Sequence, residues 1–242
     1  MNLLIINPND SEAMRQQIET SCREVQGCRT LLDVVCAGAG VPSVEGFADG
    51  ALAQVGVLER VREGEGRGYT GYLIACADDT GVHAARELAR GPVVGIGEAA
   101  YHTAALLGHG FSVLTAQRKS IPVLEQNLRA YGLEHLTRGI EAMEMPVLSL
   151  PDASETGLTS SLLERARQVT RRHRSEVLVL GCAGLSPYQP MLQAELGLPV
   201  VDGVRNGLVM LEGLLRAGLA TSKVNGYRAD GPNRGSRFPM PS

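Results

Sequence analysis

The chain alternates between short continuous runs of apolar residues and longer stretches in which apolar positions recur every third or fourth residue. A continuous run bounded by turn residues is the pattern of a strand buried on both faces. The longer period is that of a helix resting one face on a core. On this basis strands are predicted over residues 3–6, 30–35, 72–75, 93–96, 112–114, 145–150, 177–180 and 200–201. Helices are predicted over 11–22, 47–63, 82–89, 98–107, 121–131, 158–172, 189–196 and 204–217. Asp10 or Ser11 is available to cap the first helix. The Gly/Pro-rich stretch 36–46 reads as a wall or lid, and the polar, Gly-rich stretch 63–71 as a surface turn. Residues 229–242, rich in Pro, Gly and Arg, read as a frayed tail.

Strict alternation of strands and helices with continuous apolar strands implies an α/β protein with parallel sheets covered on both faces. The pattern also repeats. After Cys76 the chain reads ADDTGVHAARELARGPVVGI, and after Cys182 AGLSPYQPMLQAELGLPVVDG; each is a short loop, a helix-like stretch and a Pro-Val-Val strand. Upstream, LLIINPNDSEAMRQQIETSC resembles FSVLTAQRKSIPVLEQNLRAYG. One α/β unit used twice is therefore expected, most simply as two doubly wound sheets side by side. The expected division is 1–97 with 203–228, and 98–202. Both Cys76 and Cys182 end an apolar run, and ligands of such sheets bind beyond the carboxyl ends of the strands.

With 242 residues, 44% of them hydrophobic, the chain is long enough for a large core. A formal charge of −3, with acids and bases intermixed, leaves no polybasic stripe for nucleic acid or an anionic membrane. The basic run 165–174 reads as a solvated helix face. The amino-terminal LLII is too short for a signal-peptide core or a membrane span. Five cysteines without CxxC spacing argue against a disulfide framework or a zinc site and for a reducing, cytoplasmic location. Cys22, Cys28 and Cys36 are expected to pack as small hydrophobes. The five histidines show no metal-ligand spacing. A small-molecule substrate is the expected partner.

Two thiols suit one kind of chemistry. A proton on a carbon beside a carbonyl can leave to a base on one face and return from an acid on the other, inverting the centre. Cysteine serves in either role, because a small thiolate fraction exists near neutral pH and nearby amides or cations increase it. The backbone N–H groups of Ala77 and Asp78, and of Ala183 and Gly184, are placed to favour negative charge at the sulfurs or on a developing oxyanion.

The segments INPN at Asn7, CADDTG at Cys76, GIGEAA at Gly95, FSVLT at Phe111 and GCAG at Gly181, in this order, resemble one family. It is the hydantoin and allantoin racemase branch of the aspartate/glutamate racemase superfamily, and the likeness runs to about Tyr227. The resemblance implies two pseudo-symmetric, doubly wound α/β domains with the active site between them, and cofactor-independent racemisation of a ring carbon flanked by a carbonyl and a nitrogen, in a homo-oligomer. It gives Cys76 and Cys182 the acid and base roles. Asn7, Ser43, Ala77, Thr115, Ala183 and Gly184 would hold the ring. The branch commonly carries CFDDPG where this chain has Ala77 and Thr80, which changes the space beside the first cysteine.

Other readings remain open on the residues. Relatives on such a scaffold include aspartate/glutamate-type racemases and decarboxylases or cis–trans isomerases of small diacids. Gly95-Ile-Gly97-Glu-Ala-Ala100 satisfies a dinucleotide fingerprint, and an NAD(P)-binding oxidoreductase follows from it. A crowded strand-to-helix turn explains the glycines as well, and Gln117 and Arg118 stand where an acidic residue is expected. Two lobes around a cleft also describe a binding protein without chemistry. Asp78 and Asp79 are expected to cap the helix beginning near Gly81.

Overall fold

The structure, a computed structural model, describes residues 1–149 and 156–228. The first half runs β1 (Asn2–Asn7), α1 (Glu12–Val25), β2 (Leu31–Cys36), α2 (Phe47–Arg67), β3 (Gly71–Ile74), α3 (Val82–Leu88), β4 (Val93–Gly95) and α4 (Ile96–Leu107). The second runs β5 (Phe111–Thr115), α5 (Ile121–Ala130), β6 (Thr137–Ala142), α6 (Thr156–His173), β7 (Val177–Leu180), α7 (Gln189–Leu196), β8 (Val200–Asp202) and α8 (Gly203–Arg216). All pairings are parallel, in two four-stranded sheets of order β2-β1-β3-β4 and β6-β5-β7-β8. The two orders are the same permutation, so the repeat in the sequence is a repeat of topology.

Alternate strand residues face opposite ways, and the core divides accordingly. Leu3, Ile5 and Leu73 of the first sheet share one cluster with Leu114, Leu178 and Leu180 of the second, joined by Val204, Leu208 and Leu211 of α8. Leu4, Ile6 and Ile74 face the other way, onto Val57 and Val61 of α2 and Val82 of α3. Phe111, Val113 and Val179 do the same against Tyr101 of α4 and Leu124 of α5. Each large apolar side chain so buried contributes about 1.5–3 kcal/mol. The sheets thus meet over one continuous apolar layer, which holds the carboxyl ends of β3 and β7 in a fixed relation.

Most predicted elements form, with boundaries moved by one to three residues. The helix caps follow local chemistry: the Ser11 hydroxyl accepts from Met14 N–H, and the Asp202 carboxylate accepts from the amides of Val204 and Arg205. Two expectations are corrected. Strand β6 occupies Thr137–Ala142, not 145–150; Val147–Ser149 is a 3-10 turn, and residue 150 lies outside the described residues. An edge strand whose residues are mainly half-buried has little apolar signal, and the run that follows it drew the assignment instead. The stretch 63–71 is no surface turn along its whole length. Helix α2 continues to Arg67 and ends on Gly68 in the left-handed conformation, φ 80°. Gly64 stays helical because its missing Cβ admits the Tyr72 ring, which would stand 2.7 Å from one. The expected tail, 229–242, lies outside the described residues. Among the described residues no helix is long and apolar enough to cross a membrane.

Candidate active site

Ile6 of β1 pairs with Ile74 of β3, and Leu114 of β5 with Leu180 of β7. Cys76 and Cys182 each stand two residues beyond the paired strand end, so the topology delivers them to equivalent places. Each begins the same tight turn: the Cys76 carbonyl accepts from Asp79 N–H at 3.0 Å, and the Cys182 carbonyl from Leu185 N–H at 3.0 Å.

Both side chains line one cavity. Pro8, Asn9, Val44, Ala75, Ala77 and Asp78 contribute from the first half, and Thr115, Ala116, Ser120, Gly181 and Ala183 from the second. The cavity is tight. About 420 Å³ is free of protein atoms, open mouth included, and water-sized spheres can centre in only about 30 Å³ of it. Asp78 is the charged side chain of this lining, and no Lys, Arg or His occurs among the described residues that form it.

Burial is the largest influence on both thiols and holds them in the neutral form. It pushes Cys182 up to about 11, against hydrogen bonds from the amides of Gly184 and Leu185 that favour the thiolate. It pushes Cys76 well above its ordinary value too, and the carboxylate of Asp78 and the sulfur of Cys182 add to the rise. The amide of Asp78 and the hydroxyl of Thr80, buried with no other partner, oppose it. The amides of Asp78 and Gly184 were legible in the sequence as thiolate donors; that of Leu185 was not.

The turn after each cysteine is anchored by groups distant in sequence, drawn from both halves. Asp79, in the left-handed region with φ 52°, accepts from Gly97 N–H at 2.9 Å, Glu98 N–H at 2.7 Å and the Tyr131 hydroxyl at 2.7 Å. Asn127 of α5 donates to the Asp78 carbonyl at 2.9 Å. Asp79 therefore caps α4, not the helix beginning near Gly81, whose amino terminus has no side-chain cap. The glycines of the GIGEAA segment make this approach possible. A Cβ on Gly95 would lie 2.1 Å from the Asp79 carboxylate, and one on Gly97 2.3 Å from the Ala77 carbonyl. On the other side, the Ser186 hydroxyl meets Ser21 of α1 at 2.8 Å and the Asp202 carboxylate at 2.5 Å, and accepts from Arg205 at 3.0 Å.

The remaining residues singled out in the sequence divide into two groups. Ala77, Thr115 and Ala183 line the cavity, with the Thr115 hydroxyl engaged by the Gly181 carbonyl at 2.9 Å. Asn7, Ser43 and Gly184 do not line it. Asn7 donates to the Asn9 side chain at 2.8 Å, and Asn9 is the member of the INPN segment that reaches the cavity. Ser43 donates to Glu45 at 3.0 Å. Pro8, Asn9, Val44, Ser120 and Val147 were not foreseen, because only the folding of loops onto strand ends brings them in. Loop 37–46 is a wall held by the Asp10 carboxylate, which accepts from Gly38 and Gly40 amides at 2.8 and 2.6 Å. Cys22 is a core residue as expected, whereas Cys28 is exposed and Cys36 half-buried, accepting from Asn7. Among the described residues no cluster of His, Cys, Asp and Glu is arranged to hold a metal ion.

A family profile described as Asp/Glu/Hydantoin racemase matches residues 3–211. The chain belongs to this family. It is 40% identical over 227 residues to the hydantoin racemase of Rhizobium meliloti, 94% of each chain being covered. To the hydantoin racemase of Pseudomonas sp. strain NS671 it is 34% identical over 228 residues, 94% of this chain and 91% of that one. Among solved structures it superposes on an allantoin racemase from Klebsiella pneumoniae with a TM-score of 0.94 at 38% identity, covering 99% of this chain and 97% of the other.

In this member of the racemase family Asp78 carries an electrostatic cost. Its burial, with Asp49 nearby, pushes the carboxyl up to about 7 from an ordinary 3.8, and one carboxylate oxygen is buried without a hydrogen-bond partner. Below about pH 4 the group is protonated whether the chain is folded or not. Between about pH 4 and pH 7 the unfolded chain ionises first, so folding stability falls as pH rises and levels off above about pH 7. Asp78→Asn is therefore expected to stabilise the fold by about 1–3 kcal/mol at about pH 8 and by nothing at about pH 4. Chemical denaturation at both pH values checks this. An equal stability difference at the two would refute it.

Proposed function

We propose that this chain is a cofactor-independent racemase of 5-substituted hydantoins or allantoin, in which Cys76 and Cys182 exchange a proton with opposite faces of one ring carbon. The observation that carries the reading is the pair of sulfurs, delivered by equivalent strand ends to a single tight cavity. One thiolate takes the proton from the stereogenic carbon, leaving a planar carbanion conjugated with the neighbouring carbonyl. The second thiol returns a proton on the other face. For the reverse direction the roles exchange, which the matched surroundings of the two sulfurs suit. Backbone amides at the turns, which already favour thiolate, are the groups placed to receive negative charge on the substrate oxygen.

The cavity's charge selects among relatives. A dicarboxylate substrate would bring its anions beside Asp78 with no cationic side chain in the described lining to meet them, whereas a neutral ring brings none. The names of the similar proteins, hydantoin and allantoin racemases, agree with a ring substrate. Ala77, small and in the lining, leaves room for the ring substituent where the branch commonly has an aromatic side chain. We read 1–97 with 203–228, and 98–202, as the two domains that frame the site. Asn9, held by Asn7, and Ser120 are its further polar contacts. A cytoplasmic homo-oligomer remains the expected form, with its five thiols reduced.

Single enantiomers of several 5-substituted hydantoins and of allantoin, incubated with the protein in D2O, test the reading by polarimetry and NMR. Optical rotation is expected to decay as deuterium enters the stereogenic carbon, while aspartate and glutamate remain unchanged. Undiminished rotation of every hydantoin and of allantoin would overturn it.

A further inference from the structure

The site is rich in donors and short of acceptors. The amides of Asp78, Gly184 and Leu185 point at the sulfurs, and the Thr115 hydroxyl is engaged by a main-chain carbonyl. A hydantoin ring presents the reverse mixture, two carbonyl oxygens and two N–H groups. Its carbonyls find donors readily, but its N–H groups need an acceptor. One oxygen of Asp78 is buried, unpartnered and part of a side chain that lines the cavity. A free acceptor held in that state is costly unless a ligand completes it.

Asp78 is also close to the chemistry. It lies two residues beyond Cys76, and its charge raises both sulfurs. Its side chain lines the same cavity as both sulfurs, so the carboxyl belongs to the site and not to a remote surface. The Asn127 hydrogen bond to its carbonyl and the three donors on Asp79 next to it fix the backbone from which it projects.

From this placement we infer that Asp78 accepts a hydrogen bond from the ring N–H bonded to the stereogenic carbon, and so selects substrates that carry an N–H at that position. The inference rests on the hydantoin reading above and deepens it. It assigns Asp78 to binding and orientation, not to proton transfer. The carboxylate stabilises the bound neutral ring, and it opposes the negative charge that builds up on the ring and on a thiolate. Its removal therefore weakens binding more than it slows the chemical step.

The test compares wild type, Asp78→Asn and Asp78→Ala with a parent 5-substituted hydantoin and its two N-methyl derivatives, by calorimetric titration and by racemisation kinetics. Wild type is expected to bind the derivative methylated between the two carbonyls nearly as well as the parent. It should bind the one methylated beside the stereocentre about tenfold to a hundredfold more weakly. Both variants should raise Kd and KM for the parent by a similar factor, with a smaller change in kcat. Asp78→Ala, which removes acceptor and bulk together, should lose the discrimination between the two derivatives. Denaturation at about pH 8 shows whether each variant is folded.

Equal wild-type affinity for the two derivatives, or an unchanged Kd for the parent in both variants, would overturn the assignment. Wild type that binds the parent without racemising it would defeat the functional reading while leaving the role of Asp78 to be judged by the Kd values. Wild type that binds no hydantoin at all defeats both.

Discussion

Replacing either Cys76 or Cys182 by serine is expected to lower the rate of inversion by about a thousandfold, within the range usual for loss of a general acid or base. Serine is close in size and polarity, so the turns anchored by Asp79 and Ser186 should persist and the variants should fold. Its hydroxyl is far less acidic than a thiol and does not supply the base. The variants carry a second, more discriminating signature. With one sulfur left, only the enantiomer whose proton faces it can exchange with solvent, and the proton returns to the same face. Cys76→Ser and Cys182→Ser should therefore each wash deuterium into a single enantiomer without inverting it, and the enantiomer should differ between them. NMR of separate enantiomers in D2O reads this directly. Normal racemisation in both variants, or exchange of the same enantiomer in both, would remove the two-face mechanism.

The second large effect is structural. Asp79→Ala strips the acceptor from the Gly97 and Glu98 amides and from the Tyr131 hydroxyl. Those donors are left at a crowded, buried helix terminus, so a loss of about 2–5 kcal/mol is expected, a large share of a typical folding free energy. The Cys76 turn loosens with it, so kcat should fall as well. Adding Tyr131→Phe removes one of the orphaned donors. The double variant should lose less than the two single losses added together, the mark of a direct interaction. Urea denaturation of the four proteins completes the cycle. A wild-type midpoint for Asp79→Ala would show that these hydrogen bonds contribute nothing net.

Most of the fold was legible because its strands are buried on both faces. VLVL at Val177–Leu180 and its counterparts are continuous apolar runs, and such runs stand out in any reading of the chain. Strand β6 escaped because TRGIEA lies at a sheet edge, where few side chains need be apolar. The end of α2 escaped because Gly64 and Gly66 look like turn residues, until the Tyr72 ring against Gly64 supplies the reason for a glycine inside a helix. The GxGxxA segment could be read as a phosphate cradle or as a crowded turn. The approach of the Asp79 carboxylate to Gly95 and Gly97 accounts for both glycines.

At the site, the two cysteines were visible as strand-end residues in matching repeats, but the residues that hold their turns were not. Asp79 looks like a cap for the helix that follows it in sequence. It caps the helix after the next strand instead, because the parallel crossover brings α4 back to the end of β3. Asn127, Tyr131 and Ser21 are separated from the cysteines they support by long stretches of chain, and no local pattern marks them.

What this sequence determined by itself is what depends on neighbours along the chain: the alternation of elements, the duplicated unit, the parallel sheets and the position of each thiol at a strand end. Periodicity of burial is written locally, so it survives without coordinates. The tertiary structure alone decided that the two thiols share one cavity, that distant segments clamp each turn, and that an acceptor on the cavity-lining side chain of Asp78 stands unpartnered. Those facts are products of packing two sheets on one apolar layer, and a contact between distant segments leaves no trace in the order of residues.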